Sequence, residues 1–202
     1  MRPLLNGGTL SGRRLPGPLP LAVSARYLTS VLVSFRPLQL GDAEGLDDAQ
    51  RIMAREDYAF AFDYEPGQDF NAYLEFLDDR RCGRNLRPGS VPSTFEVGLF
   101  DGRIVARLSV RLALNEFLLQ RGGHLGYGVL PEFRGRGVGS ACLQRGLAIT
   151  SSLGIGQTLV TCDDDNAISR HIIEHAGGRY ESSYAGPDVT VPVRRYWFAT
   201  AH

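Results

Sequence analysis

One stretch decides the fold of this chain: Gly126-Tyr127-Gly128-Val129-Leu130-Pro131-Glu132-Phe133-Arg134-Gly135-Arg136-Gly137-Val138-Gly139-Ser140. It predicts a β-strand that ends at the proline, then a glycine-rich turn and the start of an α-helix. A turn with little side chain lets backbone N–H groups approach an anion closely. The helix N-terminus adds unpaired donors and the positive end of its dipole. The segment from Arg134 to Ser140 therefore predicts a phosphate-binding turn.

The spacing of these residues excludes two common nucleotide-binding motifs. There is no GxxxxGK[ST] motif, and no GxGxxG followed by an acidic residue about twenty positions later. The motif that is present is RxxGxG, formed by Arg134, Gly137 and Gly139. In this the sequence resembles the GNAT superfamily of N-acetyltransferases, whose pyrophosphate-binding signature is Q/RxxGxG/A at the end of a strand. The resemblance implies that the turn binds the phosphates of acetyl-CoA.

The resemblance extends over about residues 31–198. Leu159-Val160-Thr161-Cys162 is similar to the next strand of the superfamily, and Asn166 stands where an asparagine opens the following helix and helps to hold the pantetheine arm. Five segments are together similar to a bacterial subgroup of predicted acetyltransferases, namely 115–119, 123–127, 161–163, 177–178 and 195–198. The resemblance implies an α/β (α+β) GNAT fold, in which a central, mostly antiparallel mixed sheet splays at the cofactor site and is flanked by helices.

Acetyl-CoA is thus the expected co-substrate, with no metal. A backbone N–H near Val129 is the donor that the resemblance assigns to the developing oxyanion. The run Asp163 to Asp165 predicts a strand-end turn and acids at a helix N-terminus rather than a metal site. The residues that the resemblance assigns to the cofactor are Gly128, Val129, Leu130, Arg134, Gly135, Arg136, Gly137, Val138, Gly139, Ser140 and Asn166.

Two residues are candidates for the general base, because both flank strands that line the acceptor groove in this superfamily. Glu116 is an acid among apolar residues, and burial would raise its pKa. The alternative is a solvated turn residue. His124 has a reference pKa of ~6.5, which suits base catalysis at neutral pH. Strand alternation places it on one face with Gly126 and Gly128, so a hydrogen-bonded structural role is equally open.

The usual general acid of the superfamily is absent. Many members carry a tyrosine seven residues after the asparagine, and here that position is Ile173. Solvent, Ser169, Cys162, Tyr180 and Tyr184 remain as alternative proton donors, and the sequence does not choose among them. A further ambiguity concerns the aromatic segment 58–64, which is either core or a wall of the acceptor pocket.

Periodicity and turn signals predict a mixed α/β order of elements. Asp101-Gly102 predicts a tight hairpin, because both central residues need positive φ, and Gly177-Gly178 predicts the end of a helix. The predicted strands are 31–35, 95–100, 103–112, 124–130, 158–162 and 193–198, and the predicted helices are 42–57, 69–81, 137–153 and 166–175.

Composition narrows the function classes. Hydrophobic residues make up 43% and charged residues 22%, which is ordinary for a globular protein. The formal net charge is zero, which gives no support for a nucleic-acid-binding surface. Cys82, Cys142 and Cys162 lack the spacing of a zinc site or a disulfide framework. No apolar run reaches the ~18 residues of a membrane span, so we expect a cytoplasmic protein without a membrane partner.

The chain is expected to contain one domain. Residues 1–28 are rich in glycine and proline and carry four arginines but no acid, which predicts a flexible N-terminal extension. A targeting or anion-binding arm is the alternative. Residues 29–202 then form a single GNAT acetyltransferase domain. A homodimer is compatible with the superfamily, although nothing in the sequence marks an interface.

The expected function is transfer of an acetyl group from acetyl-CoA to a primary amine, by direct attack in a ternary complex. The acceptor is a small molecule or a peptide that the sequence does not identify. Two alternatives remain. One is an acyl-CoA-binding sensor or interaction module without turnover, suggested by Ile173. The other keeps catalysis but uses a longer acyl chain or an aminoacyl carrier.

Overall fold

The computed structural model describes residues 32–187 and 189–200. The N-terminal extension predicted over residues 1–28 lies outside these described residues, as do residues 29–31. The described residues form four α-helices, namely α1 (Ala43–Ala54), α2 (Phe70–Cys82), α3 (Val138–Ser152) and α4 (Ala167–His175). Seven strands accompany them, namely β1 (Ser34–Pro37), β2 (Ser93–Phe100), β3 (Arg103–Arg111), β4 (Leu125–Val129), β5 (Gln157–Asp163), β6 (Arg179–Tyr184) and β7 (Val193–Ala199). Short helical turns occur at Leu40–Asp42, Leu118–Gly122 and Pro131–Phe133.

The predicted order of elements is confirmed, and the turn chemistry explains several of their ends. Asp101 and Gly102 have φ of 49° and 75°, as the predicted hairpin requires. Helix α2 begins after Asp69, whose carboxylate accepts hydrogen bonds from two N–H groups of the first turn, and it ends at Gly83 in the left-handed conformation. Strand β6 was not predicted, and its mostly exposed, polar sequence explains why.

The strands form two antiparallel sheets, with orders β1-β2-β3-β4 and β5-β7-β6. The two sheets meet at His124, just before β4. The backbone N–H of His124 donates to the Leu159 carbonyl at 2.7 Å. The Leu159 N–H in turn donates to His124 Nδ1 at 2.9 Å. Beyond this join β4 and β5 share no strand ladder, and their later residues line opposite walls of a cleft. The predicted splay of the sheet is this cleft.

Two hydrophobic clusters hold the sheets in place. One lies between helices α1 and α2 and the first sheet, with Leu46, Phe60 and Val97 fully buried. The other lies under α3, where Leu108 and Leu143 are buried with residues of β5 and β7. The middle of strand β3 is therefore covered on both faces, which explains why the polar side chains of Arg107 and Ser109 are buried.

Candidate active site

The glycine-rich turn leads directly into the exposed N-terminus of α3. Gly135 and Gly137 have φ of 71° and 82°, a region that residues with a Cβ rarely adopt. Helix α3 has no side-chain cap, and its first backbone hydrogen bond runs from the Ala141 N–H to the Gly137 carbonyl at 3.0 Å. Within the described residues, the N–H groups of residues 138–140 have no acceptor. Three free donors at the positive end of a helix form a site for a phosphate group.

Two other glycines bring neighbouring elements close to this turn. A Cβ on Gly128 would lie 2.8 Å from the ring of Tyr58, whose hydroxyl donates to the Tyr127 carbonyl at 3.1 Å. A Cβ on Gly139 would lie 2.9 Å from Ile172 Cδ1 on α4. Close packing against the Tyr58 ring thus favours glycine at position 128, while a Cβ at position 139 would require Ile172 to move.

Arg134, the first residue of the motif, anchors the turn to the rest of the protein. Its Nε donates to the Val129 carbonyl at 3.1 Å, and its guanidinium forms an ion pair with Glu56. This hydrogen-bonded pair lowers the pKa of the Glu56 carboxyl below its ordinary value. The Arg134 charge is therefore already partnered, and the backbone of the turn supplies the free donors.

The other predicted residues of the turn have distinct positions. Val138 is buried beneath the turn, and the Arg136 guanidinium lies over the Phe133 ring at 5.6 Å. Leu130 departs from the expectation. Its N–H donates to the Val105 carbonyl at 2.9 Å and its side chain is buried, so neither group is free to meet a ligand.

The edge of β4 presents backbone donors to the cleft. Because Leu130 is hydrogen-bonded to Val105, the preceding pair, Val129 with Ala106, occupies a non-hydrogen-bonded position of the ladder. The Val129 N–H therefore points away from β3, towards the side on which β5 has diverged. A donor in this position suits the carbonyl oxygen of a ligand lying between the two strands.

Asn166 occupies the far wall of the cleft. Its side-chain Oδ1 accepts from the Ser169 N–H at 2.9 Å and so caps α4. The amide nitrogen of Asn166 has no acceptor within the described residues, and it remains available to a ligand. The cleft has a volume of about 370 Å³, and Tyr127, Cys162 and Ser169 are among the residues that line it.

These features fit acetyl-CoA, with phosphate donors at one end and a narrow cleft with unpaired donors at the other. The Acetyltransferase (GNAT) family model matches residues 52–177, more than half of the chain. The chain belongs to the GNAT acetyltransferase family. Acetyl-CoA is accordingly its co-substrate.

Solved structures of low sequence identity share the fold. Ribosomal-protein-S5-alanine acetyltransferase from Vibrio fischeri has 12% identity and a TM-score of 0.62, with 83% of this chain and 93% of that chain covered. The structure of yncA from Salmonella typhimurium with its cofactor acetyl-CoA has 12% identity and a TM-score of 0.56, with 83% of this chain and 94% of that chain covered. A chimera of spermidine N-acetyltransferase SpeG from Vibrio cholerae and hSSAT has 15% identity and a TM-score of 0.55, with 83% of this chain and 95% of that chain covered. No curated protein sequence matches the chain significantly.

The GNAT site lacks the usual tyrosine on α4, and a different tyrosine lies in the cleft. Ile173 is 1% exposed and belongs to the core. Tyr127, on β4, has a buried hydroxyl that lies beside Ser169 but makes no hydrogen bond of good geometry within the described residues. Burial raises the pKa of Tyr127 to about 12, so its hydroxyl stays protonated. Sequence reasoning missed Tyr127, although alternation along β4 places it on the face towards α3 and α4.

Of the proton donors considered from the sequence, two line the cleft. Cys162 and Ser169 are both part of its wall. Burial raises the pKa of the Cys162 thiol to about 11, so it is protonated at neutral pH. Tyr180 and Tyr184 belong to β6 and are not among the residues that line the cleft, and the Tyr180 hydroxyl is paired with Ser183.

His124 is placed at the join of the two sheets, in a setting unlike that of a base. It is 6% exposed, and its Nδ1 already accepts a hydrogen bond from the Leu159 N–H. The ring is therefore neutral with its proton on Nε2. Burial, and then the charge of Arg111, lower the pKa of His124 below its ordinary value. This geometry is that of the hydrogen-bonded structural residue, the second possibility open from the sequence.

Glu116 also lies in a setting different from the one that motivated it. The side chain is exposed, just before the helical turn Leu118–Gly122, so the burial that would raise its pKa is not observed. Glu116 lines neither the cofactor cleft nor the cavity beside it, whereas its neighbours Asn115 and Phe117 line that cavity. Its role as a base stays a prediction without support from position.

A second cavity adjoins the cofactor cleft. It has a volume of about 260 Å³ and lies between α2, β2, β3 and the segment before β4. Arg111 and Phe117 line both spaces. In the aromatic segment 58–64, Phe60 and Tyr64 are buried in the core, as one of the two predicted alternatives requires, while Phe62 lines this cavity.

The described residues contain no group of three or more His, Cys, Asp or Glu side chains that could hold a metal ion. In the predicted turn 163–165, Asp164 instead pairs with Arg194. Across residues 32–187 and 189–200, no helix is long and apolar enough to cross a membrane.

Proposed function

We propose that this GNAT protein is an N-acetyltransferase that transfers the acetyl group of acetyl-CoA to a primary amine of a small acceptor. The observation that carries this proposal is that Arg111 and Phe117 line two neighbouring spaces. One space has the donors suited to acetyl-CoA, and the other, of about 260 Å³, approaches the lower end of the ~300–1,000 Å³ range of small-molecule sites. Both substrates are then held at once, and the amine attacks directly.

Acetyl-CoA supplies a thioester whose carbonyl carbon accepts the amine. The residues of the chain position the two reactants, and such positioning supplies several kcal/mol of the barrier. The N–H groups of residues 138–140 hold the phosphates, and the Val129 N–H donates to the carbonyl oxygen as its charge develops. The Tyr127 hydroxyl, which makes no hydrogen bond of good geometry within the described residues, donates a hydrogen bond to the departing thiolate.

For the removal of the amine proton we propose solvent as the acceptor rather than a side chain. His124 has no free lone pair at Nδ1, and Glu116 is exposed away from the cavity. The positive charge of Arg111, which lines the cavity, favours the neutral form of an amine. A positioned base is therefore not required for the amine to react.

The experiment is a screen of amines with acetyl-CoA, in which free thiol is measured by a colorimetric reagent and the acetylated product by mass spectrometry. We expect thiol release that depends on the amine, and a product mass that identifies the transferred acyl group. Release of thiol at the same slow rate with and without every amine would contradict the proposal. Titration of acetyl-CoA by calorimetry, in the same samples, separates lost binding from lost turnover.

A second candidate function is an acyl-CoA-binding module without turnover, favoured by Ile173 at the position of the usual proton donor. The two functions differ in one measurable respect. A binding module retains acetyl-CoA affinity but releases no thiol with any acceptor. For a binding module, Tyr127→Phe leaves thiol release unchanged. For an enzyme that uses this hydroxyl, the same substitution lowers the rate of thiol release.

A further inference from the structure

Two arginines on β3 differ from the other arginines around the site. Arg107 and Arg111 lie on the same face of the strand, with Ser109 between them. Arg107 is 4% exposed, and its guanidinium donates to the Tyr58 hydroxyl at 2.5 Å and to the Gly126 carbonyl at 3.2 Å. No carboxylate pairs with it within the described residues.

Arg111 is the more accessible member of this pair. One of its terminal nitrogens donates to the Gly122 and Gly123 carbonyls at 2.9 Å and 3.2 Å. No carboxylate of the described residues forms an ion pair with it, whereas Arg80, Arg134 and Arg145 are all paired with acids. Burial, and then the charges of Arg107 and Arg80, lower the pKa of Arg111 to about 10. The guanidinium remains cationic at neutral pH and is uncompensated.

This charge faces the second cavity. Arg111 lines it together with an apolar wall that includes Phe62, Phe76 and Phe95. The only acid among the lining residues is Asp63, and both of its oxygens are already engaged by Arg80 and Arg87. Burial of a cation costs desolvation free energy, and a bound anion offsets part of this cost. The cavity is therefore electrostatically suited to an anionic ligand with an apolar body.

We propose that the acceptor carries a carboxylate, which Arg111 binds in this cavity while the acceptor amine faces the cofactor cleft. The proposal deepens the proposed function and rests on it. Because Arg111 lines both spaces, a carboxylate held there lies close to the point where the amine meets the thioester. The acceptor class is an amino acid with an apolar side chain, which the aromatic wall accommodates.

The charge of Arg111 also disfavours other amines. A polyamine brings two or more positive charges and no anion, so it is repelled by Arg111. An amino acid instead brings a carboxylate that pairs with this guanidinium. Selectivity for the acceptor thus has an electrostatic origin.

The first test compares matched acceptors on the wild-type protein. Each apolar amino acid is assayed beside its carboxamide and its decarboxylated amine, and kcat/KM is measured at saturating acetyl-CoA. We expect the carboxylate forms to be preferred by about 10- to 100-fold, the effect of a charge-assisted hydrogen bond to a carboxylate. Equal rates for acid, amide and amine would overturn the carboxylate proposal while the proposed acetyltransferase function stands.

The second test uses a variant and a matched control. Arg111→Gln is expected to abolish the preference by raising KM for the acid without changing KM for the amide. Arg81→Gln removes an exposed arginine of α2 that pairs with Asp78, and it should keep the wild-type preference. Circular dichroism establishes that both variants are folded. A preference retained in a folded Arg111→Gln protein would exclude Arg111 as the carboxylate ligand.

A binding measurement keeps the proposal testable if no acceptor is acetylated, an outcome that would remove the proposed function. Equimolar N-acetyl amino acids, and separately their amides, are titrated into the wild-type protein with CoA by calorimetry. We expect the acids to bind about tenfold more tightly or better. Equal affinity of acids and amides would overturn the carboxylate site independently of catalysis.

Discussion

The proposed acetyl-CoA half of the site is made largely of backbone from one continuous segment, whereas the cavity proposed for the acceptor is made of side chains from several separate parts of the chain. The first half consists of the turn before α3 and the free edge of β4. The second collects Phe62 from a loop, Tyr73 from α2, Phe95 from β2 and Arg111 from β3. Substitutions should therefore act differently on the two halves.

The difference teaches why a family can keep one substrate and change the other. A backbone cradle depends on dihedral angles and on small residues, and few sequences satisfy those requirements. A side-chain cavity is altered by any one of its lining residues without a change of fold. The following predictions test this contrast, from the largest expected effect to the smallest.

The strongest test of the backbone half is Gly137→Val. Its φ of 82° strains any residue with a Cβ, and relieving that strain moves the N–H groups of the turn. We expect acetyl-CoA to bind about 100-fold more weakly by calorimetry, since ~1–3 kcal/mol of strain adds to lost hydrogen bonds. Gly154→Val is the matched control, because Gly154 also has a positive φ, 71°, but follows the other end of α3. An equal loss of affinity in both variants would refute the backbone cradle.

The next effect concerns the cleft between the two halves, through Tyr127→Phe. We expect kcat to fall about tenfold, the effect of one hydrogen bond to a charged leaving group. Because the hydroxyl has no good partner within the described residues, its removal should leave the free energy of unfolding unchanged or raised. Urea unfolding checks this. Tyr58→Phe, which deletes the hydrogen bond to the Tyr127 carbonyl, should instead lower stability. An unchanged kcat for Tyr127→Phe would remove the proton-donor role.

His124→Gln tests whether the join of the sheets is structural. The folded pKa of His124 lies below the ~6.5 of the unfolded state, so the unfolded state takes up more protons as the pH falls. The histidine contribution to stability is therefore full above pH ~6.5 and is lost as the pH falls towards the folded pKa. Urea unfolding between pH 7.5 and pH 5 should show this decline in the wild type and a flatter dependence in the variant. Identical pH dependences would contradict the assignment.

The smallest effect is expected for Glu116→Gln. The side chain is exposed and lines neither cavity, so kcat/KM should change by less than about twofold, as for most exposed substitutions. Steady-state kinetics with an amine that the protein acetylates measures this change in kcat/KM. A loss of more than about tenfold would restore Glu116 as a general base and would show that the segment before β4 moves when the acceptor binds.

Much of the fold could be predicted, because its signals are local. The hairpin at Asp101 and Gly102, the end of α4 at Gly177 and the limits of α3 follow from residues that act on their own backbone. The strand β6 escaped prediction because it is exposed and polar, and only pairing with β7 makes it a strand. The glycine-rich turn before α3 was likewise predicted, since Gly135 and Gly137 act through their own φ angles.

The candidate catalytic residues were harder to predict, because their function depends on neighbours distant in the chain. His124 suggested a base until Leu159, thirty-five residues later, was found to occupy its Nδ1. Glu116 suggested a buried acid because its sequence neighbours are apolar, yet it projects to solvent. Tyr127 is a candidate hydrogen-bond donor only because the fold places its hydroxyl in the cleft beside Ser169 of α4.

The sequence by itself determined the order of most elements, the glycine-rich turn before α3 and the absence of a tyrosine at position 173. These properties reside in single residues and their immediate spacing. The tertiary structure decided that β4 and β5 separate beyond His124, that Tyr127 lines the resulting cleft, and that Arg111 faces a cavity without a counter-ion. Burial and the absence of a partner depend on which distant segments come together, and no local pattern encodes them.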